Sequence, residues 1–381
     1  MALRIAQTLA SEADSTVGLV ALWGASLGSL SSAFDIKLPI ERIKNFFMFS
    51  SNSVREPSVN PLFSPYFGAV TLQLLRFVQR VIHKFHPDLI VFNDDSPRFI
   101  SKLPSDTKTL VYAHFPYACR LRYDIPDSSS SKSIPRRVSD AFVRPFITRL
   151  FETECTGVTW LAANSNVTRR YMLPTFRREV SVIYPPIEPT LITRLTRTDL
   201  VTSIGAIQPN KRLVEVIDAM RSTPANCKCV LFGHLRDPAY YRTLVQSIRK
   251  WGLENRVRIM PDAPKKMVTS FLQQSKIILH TSRFEPFGLS VVEGMAAGAI
   301  PLVYAGEDSG PWVDVVGRGE FGFGFKNQEE MSAQITDLIE NRSKWADFST
   351  KARERATFFS PHSFSEHLKA LIGKDMDFEK H

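Results

Sequence analysis

Phe284-Glu285-Pro286-Phe287-Gly288-Leu289-Ser290-Val291-Val292-Glu293-Gly294-Met295-Ala296-Ala297-Gly298 runs from a turn into a helix. The turn, residues 283–288, carries Pro286 and Gly288 and follows the apolar run Ile277-Ile278-Leu279-His280, which has the length and flanks of a buried strand. From Leu289 the apolar residues recur at helical spacing, with Val292, Met295 and Ala296 three or four apart. The segment therefore reads strand, turn, helix. The first turn of such a helix offers unpaired N–H groups and a partial positive charge, so a diphosphate docks there readily, and Gly288 lets backbone come close to it. Glu293 falls a little over one turn into the helix, from where a carboxylate can accept two hydrogen bonds from a ribose diol. Glu285 lies at the mouth, within reach of sugar hydroxyls beyond the diphosphate. The spacing also admits a plainer alternative, in which Glu285 caps the helix dipole and Glu293 is a solvated surface residue.

Around this segment the chain alternates strands and helices. In the carboxyl-terminal half, strands are expected at 200–205, 229–233, 256–260, 277–280 and 299–304, with helices at 213–220, 264–274 and 364–372. The order is that of a parallel sheet in an α/β domain. In the amino-terminal half, an amphipathic helix at 1–10 precedes a strand at 17–22, and residues 15–34 read as a strand plus a loop. A helix at 70–85 places Leu74, Leu75, Val78, Val81, Ile82 and Phe85 on one face. Strands follow at 87–92, 109–116, 158–165 and 182–187, with a helix from 167 to 173; Pro185-Pro186 marks a linker. Asp94 and Asp95 sit in a loop at a strand's carboxyl end, where open α/β sheets bind ligands, and read as a metal pair or as locally capped turn residues.

The 381 residues are enough for two cores, and a net charge of +10 suits an anionic partner, with no basic–aromatic pattern of a nucleic-acid module. Cys119, Cys155, Cys227 and Cys229 match no zinc spacing and read as reduced thiols, as in a cytosolic setting. No segment reads as a membrane span. Residues 134–151 alternate basic with large apolar side chains, which fits a groove over the sheet, an interfacial helix on anionic lipid, or a packed helix with a solvated basic face.

With its flanks, the 284–298 segment resembles the signature of the family four retaining glycosyltransferases, which have the GT-B fold. The resemblance runs from about residue 3 to 372 and is strongest over 252–316. It implies two Rossmann-like, doubly wound parallel-sheet domains with a cleft between them: 1–187 for the acceptor, 198–358 for the nucleotide-sugar, and 359–381 as a helix packing back on the first. It further implies that the elements at 1–10 and 17–22 are the family's second and third. The first strand and its glycine-rich turn are then missing here, through a misassigned start, a fragment or a lost strand. Among site residues, the resemblance makes Glu285 the contact to the donor sugar and Glu293 the ribose ligand. The backbone of Phe287, Gly288 and Leu289 faces the donor, and His114, at the end of the strand Tyr112-Ala113-His114-Phe115-Pro116, faces the sugar. Gly205, Pro209 and Lys211 match the family's phosphate-binding turn. Its frequent arginine is Ala206 here, which leaves charge neutralisation to Lys211, with Arg212 as a second candidate. The candidate catalytic residues are thus His114, Lys211 and Glu285. The donor-binding set is Gly205, Lys211, Arg212, Phe287, Gly288, Leu289 and Glu293.

Residues 298–300 with 308–316, and 112–116, are most similar to the α-1,2-mannosyltransferases that extend dolichol-linked oligosaccharide; Arg283, Phe284 and Pro286 depart from them. This implies transfer of a hexose, mannose from GDP-mannose, to a lipid-linked or other glycan with retention. No cofactor or metal is expected beyond the nucleotide-sugar, and no nucleic-acid partner. The expected place is the cytosolic face of a membrane (endoplasmic reticulum in a eukaryote, inner membrane in a prokaryote), touched through 134–151. The rival readings are a degenerate, non-catalytic GT-B scaffold and a nucleotide-sugar epimerase.

Overall fold

The computed structural model describes residues 1–12, 15–24, 26–34, 36–50, 67–93, 103, 106–123, 125, 149, 153, 156–188 and 197–373. The chain divides into two compact units, one of Met1–Asn93, Pro97–Val111 and Gly157–Thr159, the other of Asp94–Ser96, Tyr112–Thr156 and Trp160–His381.

In the first unit, helix α1 (Ala2–Ala10) turns Leu3, Ile5, Ala6 and Ala10 inward. Strand β1 (Val17–Gly24) lies parallel to β2 (Ile43–Ser50), with helix α2 (Leu27–Phe34) between them in sequence. Residues 15–34 thus hold a strand and a helix, not a strand and a loop. Ala6, Ala10 and Ile43 form a small core with Val17, Leu19, Leu27 and Leu38. The long helix α3 (Phe67–Phe85) ends at His86 in the left-handed region, and the chain enters β3 (Leu89–Phe92). Strand β4 (Lys108–Ala113) pairs with β3 in parallel, from Leu89 opposite Lys108 to Phe92 opposite Val111. Thr109 and Thr159 exchange backbone-to-hydroxyl hydrogen bonds of 3.0 Å each.

Strand β4 carries the chain into the second unit. After its end come α4 (Tyr117–Arg122), β5 (Trp160–Ala163), α5 (Asn166–Phe176) and β6 (Ser181–Val182), which pairs parallel with β5. Ser165 starts α5 by accepting from the Thr168 N–H, as a helix N-cap should.

Next come β7 (Thr198–Ile204), α6 (Leu213–Met220), β8 (Lys228–Gly233), α7 (Pro238–Lys250), β9 (Val257–Pro261), α8 (Lys265–Gln274), β10 (Ser275–His280), α9 (Leu289–Ala296), β11 (Ile300–Tyr304), β12 (Phe323–Phe325), α10 (Gln328–Glu340), α11 (Arg342–Thr357) and α12 (Pro361–Ile372). The six strands form one parallel sheet in the order β12-β11-β10-β7-β8-β9. Crossing helices cover both faces, which is why its inner strands read as continuous apolar runs.

Leu213, Val216, Ile217 and Met220 of α6 recur at helical spacing and pack against Val201, Leu231, Ile277 and Leu302. Helix α9 seats so closely on β10 that a side chain on Gly294 would stand 2.6 Å from Ile278. Strands β7, β8 and β9 build the sheet one way, then the chain crosses back and β10, β11 and β12 build it the other way. The order reverses between β7 and β10, and ligands of open α/β sheets bind outside the carboxyl ends of the strands at that switch point. The strands at 200–205, 229–233, 256–260, 277–280 and 299–304 are all present, as are the helices at 213–220 and 264–274. α2, β2, α4, α7, β12, α10 and α11 were not foreseen. Among the described residues, no helix is long and apolar enough to cross a membrane.

Candidate functional site

Two loops leave the sheet at the switch point. The first follows β7. Gly205 closes the strand by donating its N–H to Phe232 O, 2.9 Å away. The approach requires glycine opposite, since a Cβ on Gly233 would fall 1.7 Å from Gly205 O. The chain then makes a 3-10 turn, Pro209–Lys211, ended by Arg212 in the left-handed region at φ 53°. The second loop follows β10. Its Thr281 hydroxyl donates to the Lys211 carbonyl at 2.6 Å, which ties the two loops together.

This tie aims the Lys211 side chain along Gly205 toward Glu285, where Nζ and Oε2 meet at 2.5 Å. The pair is set into the surface, with the side chains 19% and 21% exposed. The His280 imidazole, 6% exposed, brings Nε2 to 3.5 Å from the same Oε2. Burial by itself would raise the Glu285 carboxyl. The His280 contact and the Lys211 ammonium outweigh it and hold the pKa down at about 2. Glu285 is therefore an ionised group in a cationic setting and not a cap on the helix that follows.

The Glu285 backbone is fixed as well. Its N–H donates to Asp308 O at 3.2 Å, and its carbonyl accepts from Gly310 N–H at 2.7 Å. Gly310 allows this, because a Cβ there would lie 2.0 Å from Pro286 O. Asp308 in turn is gripped by the Tyr171 hydroxyl at 2.6 Å and by Arg170 of α5. Beside Glu285, the Phe284 ring meets Phe115 at 4.8 Å between centroids, with the Arg120 guanidinium over both rings. Phe115 adjoins His114, which is half-buried at the end of β4 with its ring edge-on to Tyr112 at 5.5 Å. The strand end that carries His114 is thereby brought beside the loop that carries Glu285.

Gly288 precedes α9 with φ 93°, a conformation glycine adopts without strain, and a Cβ there would strike Pro311 at 2.6 Å. In the first turn of α9 the Val291 N–H donates to Gly288 O at 3.0 Å, and the N–H groups of Leu289 and Ser290 have no intrahelical acceptor. Leu289 is exposed at this end, whereas the Phe287 side chain is buried against Tyr184 and Phe359, so Phe287 offers only backbone to a ligand. One turn on, Glu293 is half-buried, and its carboxylate makes no hydrogen bond or ion pair among the described residues. Burial raises its pKa, opposed by the charge of Lys265. It is not the solvated surface residue that its spacing allowed.

Arg212 is less available than Lys211. Its guanidinium is held by Glu215, with Nε to Oε1 at 2.8 Å, and Arg283 approaches the same oxygen at 3.7 Å. Glu215 could have been suspected from its place three residues after Arg212, the distance at which helix neighbours meet. Two further residues escaped the reading of the sequence. In the sequence His280 reads only as part of an apolar strand, and the signal is its position at that strand's carboxyl end. Asp314 is 2% exposed and accepts from the Asn166 N–H and amide at 2.8 and 2.9 Å and from Tyr184 at 3.0 Å. It anchors the start of α5 to the loop after Gly310, and its partners lie up to 148 residues away, so no local pattern announces it.

Among the described residues, no cluster of three or more His, Cys, Asp or Glu side chains could hold a metal ion. Asp94, Asp95 and, apart from Arg149, the whole 134–151 segment lie outside the described residues.

Residues 193–355 match the family model described as glycosyl transferases group 1. The chain is 28% identical over 226 residues to a GDP-Man:Man(3)GlcNAc(2)-PP-Dol alpha-1,2-mannosyltransferase of Dictyostelium discoideum, covering 53% of this chain and 44% of the relative. It is 25% identical over 308 residues to the protein of the same name from Caenorhabditis elegans, covering 71% and 64%. The chain thus spans less than two thirds of the length of these relatives. A solved Anabaena structure, HepE in complex with UDP and glucose, superposes with a TM-score of 0.67 at 19% identity over 98% of this chain and 95% of that one, a likeness of fold. Residues 193–355 are thus similar to the group 1 glycosyl transferases, and the chain has the parallel-sheet α/β fold of the GT-B glycosyltransferases.

Proposed function

We propose that the protein is a retaining glycosyltransferase that moves mannose from GDP-mannose to a lipid-linked glycan. The observation that carries this is the Lys211–Glu285 pair at the switch point, beside the open amino end of α9. The nucleotide-sugar would lie with its diphosphate at that end and beside Lys211, its ribose on Glu293 and its sugar toward Glu285 and His114. In the transfer, the bond between sugar C1 and the diphosphate oxygen breaks while an acceptor hydroxyl bonds to C1 on the same face. The acceptor proton passes to the departing phosphate oxygen. Negative charge grows on that phosphate, and Lys211 with the N–H groups of α9 are preorganised to meet it, which lowers the barrier without reorganisation at the moment of reaction.

The choice of GDP-mannose and of a lipid-linked acceptor rests on the two mannosyltransferases to which the chain is similar. In this reading acceptor recognition belongs to 1–187, donor recognition to 198–358, and the helix of 359–381 packs back on the first of these. The basic–apolar segment 134–151 would rest on anionic lipid at the cytosolic face of a membrane, drawn there by the chain's +10 charge. Lys211 would take the charge-neutralising part that a divalent cation plays in other transferases, so turnover should persist in chelator. Calorimetric titration of GDP, UDP and ADP into the protein and into Glu293→Ala tests the donor site. GDP alone binding, and failing with the variant, is the expected result. Equal binding of all three, or binding unaffected by the variant, would overturn the assignment.

A further inference from the structure

The Lys211 ammonium has one partner among the described residues, Glu285, and at the proposed donor site it must bind a diphosphate as well. If it leaves, Glu285 remains in a recess with its Oε2 unpaired, and a stranded, partly buried carboxylate is strongly disfavoured. A second donor already faces that oxygen. His280 Nε2 stands 3.5 Å away, too long for a good hydrogen bond while Lys211 is at 2.5 Å, and within reach once it goes. The ring is held at the end of β10, in the middle of the sheet, whereas the lysine stem is flexible. Its other nitrogen, Nδ1, is buried with no hydrogen-bond partner in the described structure. A proton on Nδ1 would be an unmet buried donor, so the favoured form carries its proton on Nε2, aimed at Glu285. The unmet Nδ1 also means that His280 is poorly explained as a packing residue, since an apolar side chain would fill the place without leaving a buried polar atom.

We infer that His280 is a positioning residue that takes over Glu285 when a donor diphosphate draws Lys211 away. The inference rests on the donor site proposed above. It makes Lys211 available by giving Glu285 another partner, and it keeps the carboxylate in place for the sugar after the lysine has turned. The other charged groups of the two loops are already committed, Arg212 and Arg283 to Glu215.

The test is GDP affinity by calorimetry, with thermal unfolding of each ligand-free variant. In His280→Leu no donor remains, Lys211 stays with Glu285, and GDP should bind about tenfold more weakly while the ligand-free chain stays folded. His280→Gln restores an N–H near the Nε2 position and should recover most of the affinity. In a Glu285→Gln background the lysine is already free, so His280→Leu should then change GDP affinity less than twofold. A tenfold loss that persists in that background, or wild-type affinity in His280→Leu, would overturn the exchange while leaving the donor site standing. Failure of the unaltered protein to bind GDP would overturn the donor reading and the exchange with it.

Discussion

Replacing Glu285 with glutamine should cost the fold about 2–3 kcal/mol at neutral pH and almost nothing in acid. The carboxyl is held at about 2, against 4.5 for an unperturbed glutamate, so the ionised form is favoured by roughly 3 kcal/mol in the folded chain. Because the folded pKa is depressed, this stability is complete above the ordinary glutamate range and is lost as pH falls toward the folded value. It should be nearly whole at pH 5 and below half by pH 3. The side chains are 21% and 19% exposed, so water can rehydrate the abandoned lysine, which puts the expected cost toward the lower end of the range for a broken buried pair. Urea unfolding followed by tryptophan fluorescence reads the effect, since Trp251 and Trp345 pack in the same unit as the pair. A cycle with Lys211→Met separates the ion pair from the His280 contact and should give a coupling of about 1–2 kcal/mol. A stability gap below about 0.5 kcal/mol at pH 7.5, or one that stays constant down to pH 3, would refute the charge argument. So would a coupling of zero.

Glu293 predicts the opposite trade. Burial raises its pKa, so its contribution to stability is present below the ordinary glutamate range and is lost as pH rises through the raised value. Glu293→Gln should therefore raise the unfolding midpoint at pH 8 and lower GDP affinity, and a variant that loses both stability and affinity would contradict the assignment. Gly294→Ala should destabilise by roughly 1–3 kcal/mol, because its Cβ would stand 2.6 Å from Ile278; Ile278→Ala should recover part of the loss, and additive effects of the two changes would count against direct contact. Asp314→Ala strands the Asn166 and Tyr184 donors and should cost about 3 kcal/mol in urea unfolding. Asp314→Asn can keep the oxygen that accepts all three and should cost less than half as much; equal losses would mean that charge, and not hydrogen bonding, is what the site needs.

What could be read from the sequence followed from locality. The helix at 213–220 was legible to the residue because Leu213, Val216, Ile217 and Met220 repeat at its period and all face one core. The turn after β10 was legible because Pro286 and Gly288 interrupt an apolar strand. Helix α7 was passed over although Asp237 caps it, Pro238 opens it, and Tyr240, Tyr241, Leu244 and Ile248 recur at helical spacing toward the core. Strand β12 has three residues, too few for a period of two to show. Within the site, residue types and loops were foreseen, but not who holds whom. The grip of Glu215 on Arg212, of Thr281 on the Lys211 backbone and of Asp314 on α5 joins segments that only the folded sheet brings together.

Those grips also explain how so much charge is tolerated at the switch point. Lys211, Arg212 and Arg283 bring three positive charges to two loops, and Glu285 and Glu215 return two negative ones. Three unpaired cations there would repel one another and lose hydration for nothing. Fully neutralised, they would offer a diphosphate no field. One net positive charge, with Arg212 and Arg283 committed to Glu215, leaves Lys211 as the cation whose partner can be replaced. An arginine at position 206 would add a fourth charge with no carboxylate assigned to it. Alanine there is consistent with a site that relies on one mobile lysine and on the fixed N–H groups of α9, and it makes Lys211→Arg a demanding change. The guanidinium would hold Glu285 in a two-pronged pair and release it less readily. The variant should fold at least as stably as the unaltered chain and bind GDP more weakly, and tighter GDP binding would show that exchange of the Glu285 partner does not limit access to the site.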